Sequence, residues 1–255
     1  MPLDLVTIPC LTDNYAYLLH DPDSGVTAVI DVPDAVAIEK ALIDQHWTLT
    51  DILITHHHDD HIGGVDALRK ITGARVTGAK ADDHRLPQLD RALAPGDSFL
   101  FGGESVEVFD APGHTVGHIA YYFSTSGILC TGDSLMSLGC GRLFEGSAEQ
   151  MWDTLSRFAE LPGETVICSG HEYTQANGKF AMAVEPENPA LQARVRDVAA
   201  LRDAGEPTVP STLALELSTN PFLRASKPKV KGALDMVNQT DAEVFARIRK
   251  MKDAF

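Results

Sequence analysis

Cysteine is scarce in this chain. Cys10, Cys130, Cys140 and Cys168 stand far apart and form no CxxC pair. This spacing reads as reduced thiols in a cytoplasmic protein rather than as a disulfide framework. A catalytic thiol would have its candidate in Cys140, inside the Gly-rich stretch SLGCGRLFEG. Long apolar runs are missing too: none approaches the roughly 20 residues a membrane helix needs. The opening MPLDLVTIPCLTDNYAYLL has no basic start, apolar centre or small-residue cleavage site of the signal-peptide kind. A soluble, cytoplasmic protein without a membrane partner is expected. Positive charge is in deficit overall, with a net charge of −15, which argues against general nucleic-acid binding. There is no internal repeat and no low-complexity segment.

What is present suffices for a full core: 255 residues, 44% hydrophobic and 22% charged. The length suits one large domain, or one domain with a smaller one. Charge is unevenly spread. Residues 224–255 hold Arg224, Lys227, Lys229, Lys231, Arg247, Arg249, Lys250 and Lys252 against only Asp235, Asp241, Glu243 and Asp253. Such a basic patch on an acidic protein can attract a small anionic ligand; the plainer reading is a solvated helical face.

Up to about residue 170 the chain reads as strands separated by turns: Val26–Ile30, Ile52–Thr55, Arg75–Thr77, Ser105–Phe109, Ile119–Phe123, Ile128–Cys130 and Thr165–Cys168. Helices are expected at Val65–Ile71, after Gly63-Gly64, and at Ala148–Glu160, after the N-cap candidate Ser147. Beyond about residue 175 helical spacing takes over, at Pro189–Ala204, Thr212–Leu217 and Asp241–Lys252, with connecting loops at Gly205–Pro210 and Pro221–Gly232. The expected organisation is an α/β domain over residues 1–172 and a smaller, mainly helical domain over 173–255.

The stretch ILITHHHDDHIGG (52–64) crowds four histidines and two aspartates directly after an apolar run. Three more apolar runs end the same way. VEVFDAPG leads to His114, GILCTG to Asp133 and TVICSG to His171. Strand ends at one edge of a sheet can converge, so residues distant in sequence can meet. The candidates are His56, His58, Asp60, His61, His114, Asp133 and His171. Imidazole nitrogen and carboxylate oxygen suit zinc, iron and manganese. Seven ligands are too many for one tetrahedral ion and fit two ions sharing a carboxylate. In His56-x-His58 the alternation sends two side chains the same way, so His57 points elsewhere. A merely polar turn is a poor alternative, because uncompensated burial of so many polar groups is costly.

In order and spacing, THHHDDHIGG, DAPGHTVGH, CTGDSL and CSGHEY resemble the metallo-β-lactamase superfamily. GCGRLFEG (139–146), HEYTQAN (171–177), NPFLR (220–224) and the terminal RKMKDAF narrow the resemblance to the glyoxalase II, or hydroxyacylglutathione hydrolase, family over essentially the whole chain. The resemblance implies an αββα sandwich followed by the helical domain. It implies two divalent ions, zinc first and iron or manganese next. His56, His58 and His114 would hold one, Asp60, His61 and His171 the other, with Asp133 bridging. It further implies that a hydroxide bridging the metals, not a side chain, attacks the thioester of S-D-lactoylglutathione and releases D-lactate and glutathione, a step in methylglyoxal detoxification. A thiolate leaves well, so no dedicated general acid is needed.

For glutathione the same resemblance points to Arg249 and Lys252 on the glycine carboxylate, Tyr173 on the backbone near the thioester, and Arg142 and Phe144 from the GRLFEG loop. Here the chain departs from the family, which more often has lysine at 142 and tyrosine at 144. Arg142 keeps the charge with another geometry, and Phe144 lacks a hydroxyl. At position 59 the family usually has tryptophan; Asp59 reads as a solvated side chain pointing away. Asp31, His118 and Thr115 are candidates for fixing the ligand histidines, the last two beside His114 in sequence. The alternative enzyme is a single-iron glutathione persulfide dioxygenase of the same superfamily, disfavoured by the complete second ligand set and the long helical segment. A non-catalytic metal module is disfavoured because structural zinc sites are usually closed and cysteine-rich. A monomer is the default expectation.

Overall fold

A parallel strand covered on both faces must be apolar on both, so it reads as an unbroken hydrophobic run rather than an alternating one. Ala28–Ile30 and Ile52–Leu53 are of this kind, and every residue in them is buried. The computed structural model describes residues 2–255. The chain divides into two units. One runs to Ala111 and includes Gly117–Gly132; the other comprises Pro112–Val116 and Asp133–Phe255.

The first unit contains β1 (Asp4–Cys10), β2 (Asn14–His20), β3 (Thr27–Ile30), α1 (Ala35–Gln45), β4 (Asp51–Leu53), α2 (Asp59–Ile62), α3 (Val65–Thr72) and β5 (Arg75–Ala79). A 3₁₀ turn (Lys80–Asp82), β6 (Arg91–Leu93), β7 (Ser98–Phe101), β8 (Glu104–Asp110), β9 (Ile119–Phe123) and β10 (Ile128–Gly132) complete it. One sheet runs β1-β2-β3-β4-β5-β6. Its first three strands are antiparallel, with Asp4 opposite His20 and Tyr17 opposite Ile30, and β3 to β6 are parallel. Ile38 and Leu42 of α1 and Leu68 of α3 pack with Val29, Ile52 and Val76 into one core cluster. Asp34 caps α1 by accepting from the amides of Val36 and Ala37. The strands β7 to β10 pair antiparallel in the order β10-β9-β8-β7. The Tyr121 hydroxyl on β9 donates to Ile54 O at 2.8 Å, tying this layer to the first sheet; burial raises that phenol's pKa well above its ordinary value.

The second unit contains β11 (Leu135–Met136), β12 (Gly139–Cys140), α4 (Ala148–Phe158), β13 (Val166–Ser169), α5 (Thr174–Val184), α6 (Pro189–Asp203), β14 (Ser211–Thr212), α7 (Leu213–Thr219), α8 (Pro228–Ala233) and α9 (Asp241–Asp253). Local chemistry sets the helix starts. Ser147 with Gln150, and Thr240 with Glu243, form capping boxes at α4 and α9. Asn188 caps α6, whose first residue is Pro189. Phe180 stacks on Phe222 and Phe222 meets Phe245 edge-on in the interior, with ring centroids 6.0 and 5.6 Å apart. The Arg194 guanidinium and the Glu216 carboxylate form a buried pair beside them.

The expected strands and helices lie where the sequence puts them, within a few residues. The structure adds β1, β2 and α1 near the N-terminus and α5 after His171. It also adds α8 within Pro221–Gly232, a stretch expected as a loop because of its Pro and Gly. Pro228 is tolerated there because it takes the first helical turn, where its missing N–H is no loss. Among the described residues no helix is long and apolar enough to cross a membrane.

Candidate functional site

In the first unit, β4 delivers its chain at Leu53 through buried Ile54 and Thr55 to His56. His58 then sits in extended backbone at the start of α2, whose first turns carry Asp60 and His61. His56 Nε2 and His58 Nδ1 face each other at 3.1 Å, and His61 Nε2 lies 3.7 Å from Asp60 Oδ2. Asp31 is fully enclosed below them. It accepts from Thr55 N and from Thr55 Oγ1, both at 2.8 Å, and from His61 Nδ1 at 2.8 Å. A carboxylate only accepts, so His61 carries its proton on Nδ1 and presents the Nε2 lone pair towards Asp60. The Thr55 hydroxyl gives its one proton to Asp31, so at 3.0 Å it accepts from His56 Nδ1. His56 is thereby left with its lone pair on Nε2. This is how a ligand histidine is oriented for a metal.

Asp31, His56 and His61 offer donor atoms within 4.8 Å of one another, but the three bonds on Asp31 make it the orienting group. Sequence reasoning missed Asn14, whose side-chain amide donates to Asp60 Oδ2 at 3.0 Å and to Asp60 O at 3.1 Å. His118 stacks on the His56 ring, 4.8 Å between centroids at 17°. This contact places His118 against His56. Asp59 is exposed, as expected of a solvated side chain.

In the second unit, His114 Nε2 and His171 Nε2 both face Asp133 Oδ2, at 3.5 and 3.3 Å. His114 Nδ1 donates to Arg142 O at 2.8 Å, which again turns Nε2 towards the shared carboxylate. The GRLFEG loop wraps this histidine. The amides of Phe144 and Glu145 donate to His114 O at 3.2 and 3.3 Å. Position 141 must be glycine, since a Cβ there would lie 2.0 Å from Asp133 O. Thr115 is buried beside His114 and acts through its main chain, where its carbonyl accepts from Gly113 N at 3.0 Å.

Donor atoms around one tetrahedral ion, at bond lengths near 2.1 Å, lie roughly 3.4 Å apart. The separations of 3.1, 3.3, 3.5 and 3.7 Å fit that spacing. Oriented imidazoles and ionisable carboxylates are the donor chemistry of divalent zinc, iron or manganese. The His/Asp groups of this chain are thus able to hold metal ions.

Two aromatic rings flank the candidate ligands His171 and His114. Tyr173 stacks on His171 at 4.7 Å and 3° and is 39% exposed, and Phe144 meets His114 edge-on at 5.2 Å and is 61% exposed. Arg142 is exposed, its Nε 3.6 Å from Asp253 Oδ1. Arg249, by contrast, is buried over the Phe222 ring. Its guanidinium donates to Cys140 O at 3.0 Å and to Asp253 Oδ1 at 2.9 Å. Lys252 Nζ donates to Ala176 O at 3.3 Å; burial, then the Arg249 charge, lower its pKa. Burial pushes the Cys140 thiol up to about 11, against the pull of Arg249. At neutral pH that thiol is protonated and unreactive, which removes it as a nucleophile.

Sequence reasoning also missed the side chains that hold residues 136–139. Asn220 Nδ2 donates to Met136 O and Gly139 O, Asn177 to Ser137 O, and Glu216 Oε2 accepts from Leu138 N. Leu138 sits at φ 56, a conformation side chains avoid, and this network sustains it. Asn177 and Asn220 stand inside the motifs HEYTQAN and NPFLR, which were the available signal.

A helix-covered sheet leading into His/Asp donor clusters defines the metallo-β-lactamase class, and the family model described as "Metallo-beta-lactamase superfamily" matches residues 15–171. The fold agrees with the crystal structure of ETHE1 from Myxococcus xanthus: TM-score 0.67, 25% identity, 98% of this chain and 90% of that one covered. The model described as "Hydroxyacylglutathione hydrolase C-terminus" matches residues 172–255. Curated proteins named hydroxyacylglutathione hydrolase match from end to end. That of Cereibacter sphaeroides (strain ATCC 17025) is 59% identical with 100% of both chains covered, and that of Jannaschia sp. is 58% identical with 98% of both covered. The chain therefore belongs to the hydroxyacylglutathione hydrolase family.

Proposed function

We propose that this chain is a metal-dependent thioester hydrolase that converts S-D-lactoylglutathione, or a related 2-hydroxyacylglutathione, and water to the hydroxy acid and glutathione. The observation that carries the reading is Asp133 Oδ2, faced by His114 Nε2 and His171 Nε2 at 3.5 and 3.3 Å. A carboxylate so placed, with a second His/Asp set from residues 56–61, supports two divalent ions sharing Asp133. In this proposal His56, His58 and His114 hold one ion, and Asp60, His61 and His171 the other. Zinc is the first choice, with iron or manganese compatible. Such ions, when bound, lower the pKa of water to roughly 7 and take up charge developing on a carbonyl oxygen.

The chain's own residues do the rest. Asp31, Thr55 and the Arg142 carbonyl hold the imidazoles in the tautomers a ligand needs. Tyr173 and Phe144 offer exposed rings against which a thioester can lie. The positive charges of Arg142 and Lys252 suit the carboxylates of the glutathione peptide. Arg249 contributes by holding the Cys140 carbonyl, and so the start of the loop that carries Arg142. The departing thiolate needs no proton in the bond-breaking step, so a general acid is not required. Full-length relatives named as hydrolases favour this reading over a persulfide dioxygenase. We further propose a catalytic domain over residues 1–172 and a glutathione-binding domain over 173–255, acting as a cytoplasmic monomer. The test is metal content together with release of free thiol from S-D-lactoylglutathione. About two ions per chain and rapid thiol release are expected; one iron with oxygen consumption would overturn the reading.

A further inference from the structure

Of the crowded histidines in residues 56–61, His57 remains without a task. The structure gives it one. Arg85 Nη1 lies 3.2 Å from His57 Nε2. A guanidinium has only donors, so Nε2 accepts and the ring proton sits on Nδ1. That nitrogen lies 3.3 Å from Asp82 Oδ2. Asp82 is 2% exposed and sits at the end of the 3₁₀ turn, where Arg85 Nη2 and Nε also reach its Oδ1, at 2.6 and 3.2 Å. The His57 ring is thus held by Arg85 at Nε2 and lies within ion-pair reach of the Asp82 carboxylate at Nδ1, with its centroid 4.9 Å from that of His58.

The same carboxylate braces a second segment. A Cβ on Gly117 would lie 2.2 Å from Asp82 Cγ, so the Asp82 side chain rests on the Gly117 backbone. The next residue, His118, stacks on His56. One buried carboxylate therefore touches the histidine between two donors and the backbone next to the ring that packs on one of them.

The geometry points to Asp82, His57 and Arg85 as a positioning cluster for the metal centre. By fixing the His57 ring, it holds residues 56–58 extended, so that His56 Nε2 and His58 Nδ1 are presented together before any ion arrives. This rests on the metal-ligand reading of His56 and His58 given above.

The test is zinc affinity of the full-length protein by chelator competition, with the thermal midpoint of each metal-free protein measured alongside. His57→Leu and Asp82→Ala should weaken zinc binding roughly 10- to 100-fold, the usual cost of losing a group that orients metal ligands. Asp82→Asn, which keeps an acceptor oxygen, should stay close to the wild type. The metal-free midpoint of His57→Leu should match that of the metal-free wild type. Should Asp82→Ala fail to fold, His57→Leu decides, since its side chain is 17% exposed and lies outside the core clusters. Wild-type zinc affinity in His57→Leu would overturn the inference alone. So would a drop in metal-free stability large enough to account for the whole loss. Wild-type protein that takes up no zinc would overturn the metal-centre reading and this inference with it.

Discussion

Asp31 shows how much one residue can settle. It follows the apolar run TAVI at φ 56 and accepts three hydrogen bonds at 2.8 Å, two from Thr55 and one from His61. The sequence showed a strand-end aspartate; only the fold shows that it sets the tautomers of two candidate ligands. Asp31→Ala should lower metal affinity roughly 10- to 100-fold, with circular dichroism unchanged; full metal content in the purified variant would remove Asp31 from that role. Phe144 stands where the family more often has tyrosine, exposed beside His114. In Phe144→Tyr the restored hydroxyl can add a hydrogen bond worth about 0.5–1.5 kcal/mol, which lowers KM by about two- to tenfold. An unchanged KM would show that the hydroxyl is irrelevant. Lys252 has a lowered pKa, so it loses its charge at a lower pH than an ordinary lysine, near 10.4. If it binds the substrate carboxylate, KM should begin to rise below that pH. Lys252→Arg, which stays charged, should abolish the alkaline rise, and a profile identical to the wild type would contradict the role.

At the scale of elements, the legible parts of the sequence were those with one simple cause. Ser147 and Pro189 mark helix starts by capping chemistry, and the buried runs before His56, His114, Asp133 and His171 mark strand ends. The illegible parts have mixed causes. β2 is buried along nearly its whole length, so NYAYLLH shows no alternation. α5 begins directly after the turn that carries His171 and contains Asn177 and Gly178, poor helix formers kept for what they touch. Asn177 holds Ser137 O, and a Cβ on Gly178 would crowd Val195 and Leu138. The buried Arg194–Glu216 pair was invisible because neither residue lies in a motif. Glu216 is fully buried and accepts from Arg194, Ser211, Leu138 N and Asn220. Arg194→Met would leave that carboxylate without its cation, at a cost of about 3–5 kcal/mol. Chemical denaturation should show a matching fall in stability, whereas a loss under about 1 kcal/mol would mean the network closes around the gap.

At the scale of the whole molecule, the candidate donors could be picked out in the sequence because each follows an apolar run, and the family because motifs such as THHHDDHIGG and HEYTQAN resemble it. The supporting shell was not, because Asn14, Asp82, Asn177 and Asn220 act through contacts between distant segments. In the second unit, which gathers Pro112–Val116 with residues 133–255, the amides of Phe144 and Glu145 in the GRLFEG loop bind His114 O directly. Hydrolysis of a glutathione thioester is proposed for a centre built on Asp133. It is tested most directly by following free thiol from S-D-lactoylglutathione with the metal-loaded wild type and with Asp133→Ala. Rapid release by the wild type and loss of several orders of magnitude in the variant are expected. Equal rates in the two proteins, or no release by a fully metallated wild type, would contradict it.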